Sequence, residues 1–168
     1  MATASEQDEH HYEEYRAGLF ALEGAGDSLE SSLKLTKDLA KKATGEAKDA
    51  LLDVVDMLDS SGSTISDVTE DAPTLEEFRK QFNVYDEHRL KAIRAISDAY
   101  RETQHSLGTL RDLAANAPVT FKKPLEEVTT ETEMASDSMS EAIKHLGGKV
   151  PEESDVATES SSPGLNNP

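Results

Sequence analysis

From Tyr15 onward, small and apolar residues recur in alternating steps of four and three: Leu19, Leu22, Gly26, Leu29, Leu33, Thr36, Ala40, Ala43, Ala47, Ala50, Val54 and Met57, with Ile65 and Val68 in the same phase. A heptad-like period of this kind belongs to a helix with one narrow apolar seam. Gly24, Gly26 and Gly45 weaken it, each by about 1 kcal/mol relative to alanine. The phase nevertheless runs through all three, so the expectation is one long helix, at most bent, that frays in "SSGSTISD" (60–67). The competing arrangement is a compact four-helix bundle with a turn at Gly45.

The next element opens at "EDAPTLEEF". After Pro73, Thr74 and Glu77 have the spacing of a capping box, in which each side chain accepts from the other residue's backbone N–H. A second seam follows through Leu75, Phe78, Phe82, Tyr85, Ile93, Ile96, Tyr100, Leu107 and Leu110, and should stop near "NAPVTFKKP", where proline disfavours helix at the residue before it. A third helix is expected from about Pro124, a good first-turn residue, with Leu125, Val128, Thr132, Ala135, Met139, Ala142 and Leu146 in its seam and Gly147-Gly148 as its stop. Residues 149–168 have the acidic, serine-rich composition of a disordered tail. Hydrophobic residues make up 36% and aromatics 5% of the 168 residues, which suits narrow seams better than a large globular core. The expected fold is therefore all-α: an elongated antiparallel coiled coil of three long helices, with a flexible segment over 1–8, a helical domain over 9–148 and the tail beyond. Leu22, Leu29, Leu33, Val54, Phe78, Phe82, Ile96 and Leu107 are the principal candidates for its seam. Thin stripes of this kind also predict a homodimer.

No cysteine is present, so disulfide and thiolate chemistry are excluded. No apolar run approaches the roughly 20 residues that span a bilayer, and the acidic start is unlike a signal peptide. The expected location is the cytoplasm, with any membrane contact peripheral.

Seventeen basic residues face 34 acidic ones, a formal net charge of −17, which argues against nucleic acid as a partner. Yet "SLKLTKDLAKKATGEAK" (32–48) holds five lysines and two acids. On a continuous helix Lys34, Lys37, Lys41 and Lys48 form a stripe roughly 100° from the seam, with Lys42 at its edge. That flank is where charges pair across a coiled coil, so the stripe either answers the chain's own acids or faces an anionic surface. Lys122 and Lys123 form a second small cluster, and Arg79, Lys80, Arg89, Lys91 and Arg94 add positive charge on the second helix.

Catalytic motifs are sparse. Glu102 and His105 have the Glu-x-x-His spacing of di-iron bundles, but the helical wheel puts both on the solvent side and the motif is not repeated. Asp8 with His11, and His10 with Glu14, have spacings that could hold a metal at a helix surface. His88 and His145 have no evident partner in the sequence. Phosphate-loop, dinucleotide and nucleophile-elbow motifs are absent. The reading is a protein that is not an enzyme and carries no cofactor.

The segment from "YEEYRAGLFALEGAGDSLESSLKLTKDLAKKATGEAKDALLDVVDMLDSSG" resembles the first helix of BAR domains, particularly the Arf-GAP-associated type, through Tyr15-Arg16-Ala17, Leu22-Glu23, Leu29-Glu30, Leu33 and Leu39. "LEEFRKQFNVYDEHRLKAIRAISDAYRETQHSLGTLRDL" is similar to their second helix and "TFKKPLEE" to an aromatic-basic-proline stretch found in several. The resemblance covers about residues 12–128. It implies a crescent-shaped antiparallel dimer whose basic surface meets anionic phospholipid, with Lys34, Lys37, Lys41 and Lys42 as lipid contacts and Lys122 and Lys123 as secondary ones. The third helix here is shorter and more acidic than the family's. The alternative function is a soluble coiled-coil adaptor that binds a helical protein partner.

Overall fold

The computed structural model describes residues 6–80 and 82–152, all helix and connection. The elements are α1 (Glu6–Lys42), α2 (Gly45–Glu70), the single-turn-and-a-half α3 (Leu75–Lys80), α4 (Phe82–Asn116) and α5 (Val119–His145). Helix α1 packs on α2 and α5, and α4 packs on the same two, while α3 directly precedes α4 along the chain with residue 81 between them outside the described residues. The four long helices thus close a ring in which every neighbour runs antiparallel, an up-down-up-down bundle with short connections.

The long first helix is the expectation that fails. The chain leaves α1 after Lys42, passes extended through Thr44 (φ −136°, ψ 161°) and reverses at Gly45, whose φ is +62°. Left-handed backbone is cheap only for glycine, and threonine next to it is a poor helix former. The seam around this point is Ala40, Ala43, Ala47 and Ala50, which would bury little area along an extended rod. Folding back lets each stripe meet two neighbours. The elongated three-helix coiled coil is therefore replaced by a compact bundle of four long helices.

Two other expectations change with it. The stretch 60–67 does not fray: α2 is helical through it, and Ser61 is fully buried, its hydroxyl 3.3 Å from Ala99 O and 3.2 Å from Glu102 Oε2. The small residues that looked like breakers are what lets α4 lie close. Helix α5 begins at Val119 rather than Pro124, because Pro118 (φ −58°, ψ 153°) serves as its N-cap, and Pro124 lies inside the helix. Phe121, Lys122 and Lys123 are consequently helical.

The capping box is present: Thr74 N donates to Glu77 Oε2 at 2.8 Å and Glu77 N to Thr74 Oγ1 at 3.2 Å. Helix α5 ends as a Schellman motif, with Gly147 N bonded to Lys144 O, Gly148 N bonded to Ile143 O, and Gly147 at φ +82°. A Cβ on Gly148 would stand 2.8 Å from Ile93 Cγ2, so this stop is also a close packing point.

Leu22, Leu29, Val54, Ile96 and Leu107 are at most 2% exposed, and Leu33 is half-buried against the same core. The side chains of Phe78 and Phe82, like those of Leu75 and Tyr85, lie outside the described residues, as do residues 1–5 and 153–168. All seven seam positions assigned to the third helix are buried. The core also holds Ser32, Thr36, Thr103, Ser106, Thr132 and Ser136. Thr36, Thr103 and Thr132 donate to carbonyls four residues back in their own helices at 2.6–2.8 Å, which is how hydroxyls enter an apolar layer without losing their hydrogen bonds. Thr132 Oγ1 also lies 3.0 Å from Ser32 Oγ across the α1–α5 interface.

Candidate functional site

One end of the bundle is formed by the last turns of α1 and α4 and the first turns of α2 and α5. The α1–α2 turn and the α4–α5 turn lie there side by side, because Lys42, Ala43, Thr44, Ala117, Pro118 and Phe121 line one shared depression. This brings Lys41 and Lys42 to the same end as Lys122 and Lys123, 80 residues further along the sequence. Lys34, Lys37, Lys41, Lys42, Lys48, Lys122 and Lys123 are all exposed. Among the described residues, none of the seven has a carboxylate oxygen within the 4.0 Å of an ion pair.

The stripe also sits differently from its expected place beside the core. Lys34, Lys37 and Lys41 point roughly 150° away from the mean direction of the buried Ser32, Thr36, Leu39 and Ala40, at 3.6 residues per turn. Packing on both α2 and α5 centres the buried arc of α1 between those helices, so the stripe turns outward. Lys48 leaves it altogether, since it belongs to α2.

Charge is divided unequally along the molecule. The two turns with nine residues on either side, 34–53 and 108–127, hold eight bases and seven acids, while the rest of the chain holds nine bases and 27 acids. Within this end the α1–α5 side (34–42 and 119–127) carries six lysines against Asp38, Glu126 and Glu127. The α2–α4 side (45–53 and 108–116) carries Lys48 and Arg111 against Glu46, Asp49, Asp53 and Asp112. The basic surface is therefore one corner of the bundle end.

The same end is incompletely closed. A depression of about 640 Å³ is lined by Ala43, Ala47, Leu51, Leu113, Ala117, Phe121 and Leu125, with Lys42, Glu46 and Asp112 among its polar residues. A second, of about 400 Å³, lies on the other side of Phe121 between Leu35, Leu39, Lys42 and Pro124. Val119, at the first position of α5, is 83% exposed. Reasoning from the sequence passed over this apolar tip. Its signal was three apolar residues, Val119, Phe121 and Ala117, crowded around a proline where a polar turn is the rule.

The cations of the second helix do not join this surface. Lys80 pairs with Glu76 at 2.7 Å, and Arg89 with Asp86 at 3.0 Å and with Leu146 O at 2.7 Å. Lys91 and Arg94 lie early in α4, far from the two turns, and the side chain of Arg79 is outside the described residues.

The opposite end is tied together. The Tyr15 hydroxyl and His88 Nδ1 share a hydrogen bond, with their rings edge to face at 5.8 Å between centroids. Tyr12 donates to Pro73 O at 3.3 Å, and His145 Nδ1 lies 2.8 Å from Glu14 Oε2. Both histidines that lacked an evident partner in the sequence thus find one on α1. Burial holds the His88 pKa below its ordinary value, with Asp71 opposing and Lys91 reinforcing the shift. Burial raises the Tyr12 hydroxyl, and the hydrogen bond from His145 lowers the Glu14 carboxyl.

Of the metal-ligand candidates, Glu14 is engaged by His145 rather than His10, and the side chain of Asp8 is outside the described residues. Glu102 is half-buried at the α2–α4 interface with Ser61, not on the solvent side, while His105 is exposed. Among the described residues no three His, Asp or Glu side chains converge as a metal site would require, and no helix is long and apolar enough to cross a membrane. Comparison with protein families, with curated proteins and with solved structures found no match.

Proposed function

We propose that this chain is a non-enzymatic helical module that associates peripherally with anionic membrane surfaces through the α1–α5 corner of its turn end. The observation that carries the reading is the convergence of two lysine clusters, remote in sequence, on one corner without carboxylate partners. Near a bilayer of anionic lipid each lysine contributes about 1 kcal/mol, so six would give reversible attachment even with three acids opposing them. In this reading the partner is the negatively charged cytoplasmic leaflet. The BAR resemblance and its homodimer belong to the same proposal, since two basic corners on one surface make the second contact intramolecular. A protein that sediments as a monomer at micromolar concentration would remove the dimer.

The test is co-sedimentation with anionic and with neutral vesicles, at low and at physiological salt. Binding is expected on anionic vesicles alone and should weaken as salt is added. Reversing Lys34, Lys37 and Lys41 to glutamate should lower affinity by more than 100-fold, from about 1 kcal/mol for each lysine lost and a similar repulsion for each acid gained, with helicity unchanged. Absence of binding at low salt, or full binding by the triple variant, overturns the reading.

A second reading is favoured by a separate observation. A groove of about 570 Å³ between α1 and α2 has the half-buried Leu33 with Gly26 and Gly62 in it, Leu22, Leu29, Leu58 and Ile65 buried beneath, and Glu23, Asp27, Glu30 and Asp59 around it. A groove bordered by four acids suits a basic helix, which would make the chain a soluble adaptor. That reading predicts binding of such peptides with no preference for lipid.

A further inference from the structure

Resting on the membrane reading, we propose that Val119 is a wedge that enters the boundary between head groups and acyl chains, with Phe121 behind it, while Lys42, Lys122 and Lys123 hold anionic phospholipid head groups around it. Three features of the α4–α5 tip lead there.

Val119 is the most exposed of the large hydrophobic residues in the described chain, and it is not isolated. Pro118, also exposed, precedes it. The half-buried Phe121 follows and lines both apolar depressions of this end, with Pro118 beside it in the larger one. Pro118 thus joins the tip to the larger depression, although Val119 itself lines neither. Scattered single hydrophobics on a surface need no explanation; a contiguous patch does.

Charge is layered behind this patch. Lys122 and Lys123 follow Val119 by three and four residues and share its helix face. Side chains on a helix lean toward its N-terminus, so both stems lean toward the tip. Lys42 lines both depressions from the α1 side. The nearest acids of α5, Glu126 and Glu127, stand a further turn from the tip. Glu46 and Asp112 face the larger depression from the α2–α4 side, so it is on the α1–α5 side that an apolar point has cations one turn behind it, which suits an anionic bilayer with the lysines at the phosphate level and the valine at the acyl boundary. The excess of six lysines over three acids on this side, next to the exposed valine, is why an anionic bilayer is the occupant proposed.

The chain contains no tryptophan, so Val119→Trp introduces a single indole at the tip. Phe20→Trp is the control: Phe20 is 77% exposed and lies roughly 33 Å from Lys42 along α1 at 1.5 Å per residue. On phosphatidylcholine vesicles containing phosphatidylserine, the Val119→Trp fluorescence should shift to the blue and be quenched by bromine-labelled acyl chains, while that of Phe20→Trp should do neither. Because an indole itself favours the interface, the natural residue is tested in reverse. Val119→Asp should weaken vesicle binding roughly tenfold, from the lost apolar contact, and more than Phe20→Asp does.

Vesicle binding by Val119→Trp with no shift and no quenching, or equal losses for the two aspartate variants, overturns the wedge and leaves the electrostatic reading standing. Wild-type protein that does not sediment with anionic vesicles at low salt overturns both. A shift produced equally by monomeric short-chain phospholipid would mean that the depression holds a free amphiphile, and the bilayer as occupant falls.

Discussion

The two ends of the bundle are built on different principles. At the end where α1 begins and α5 stops, side chains from different helices are bonded to one another. Tyr15 meets His88, Tyr12 reaches Pro73 O, Glu14 meets His145, and Arg89 closes the last carbonyl of the α5 cap. At the end with the two turns, the helices are joined by short connections, apolar depressions remain open beside the buried leucines, and the lysines have no partner among the described residues. Bonds that fix a geometry use up the groups that could meet a ligand. The tied end therefore accounts for order, and the open end keeps its polar groups and its apolar surface free.

This contrast can be broken from either side. The largest effect is expected for Tyr15→Ala: a fully buried aromatic is lost and His88 is left without its partner, for about 3–5 kcal/mol, read as a fall in the denaturation midpoint. Destabilisation below 1 kcal/mol would mean that the tied end is not where stability resides. At the open end Gly45→Ala should cost about 1–2 kcal/mol, from left-handed backbone alone, since a Cβ there meets nothing within 4 Å. The two sites lie at opposite ends, so the double variant should be additive, and a clear excess would show that the ends are coupled.

The smallest effect is one of pH. His88 is held below its ordinary pKa by burial, so the folded state binds fewer protons there than the unfolded chain. The contribution is present in full above the unfolded histidine value, about 6.5, and is lost as pH falls from there through the lower folded value. Thermal melts from pH 7.5 to 5 should show it as a difference between wild type and His88→Gln. Screening of the acidic surface changes both proteins alike, and parallel curves would contradict the assignment.

Much of this could be read from the residues, and what could not has physical causes. The first turn of the third helix was missed because Pro118, not Pro124, opens it, but from Leu125 to its double glycine the helix was legible because seam and stop agree. Thr74 and Glu77 gave the start of α3 for the same reason. The turn at Gly45 was visible only as the competing arrangement, because alanines at 40, 43, 47 and 50 keep the heptad phase across it. Periodicity reports which face is apolar, not whether the helix continues. Ser60 to Thr64 misled in the opposite direction, since small residues mark a weak helix in isolation and a close approach in a bundle. The lysine corner was half visible: both clusters could be named, but their union depends on α1 and α5 being neighbours. The pairing of Glu14 with His145, across 131 residues, had no local signal at all.

The bundle's length bears on how a chain of net charge −17 could approach an anionic surface. Helix α5 has 27 residues, about 40 Å at 1.5 Å per residue. The acidic segment 153–168 follows α5 at the tied end, and residues 1–5, which carry no acid, precede α1 there, so both points of attachment stand that far from the lysine corner. The Debye length at physiological ionic strength is about 8 Å. The separation is several times that distance, and a surface touching the corner would respond to the local balance of charge there far more than to the total carried by the chain.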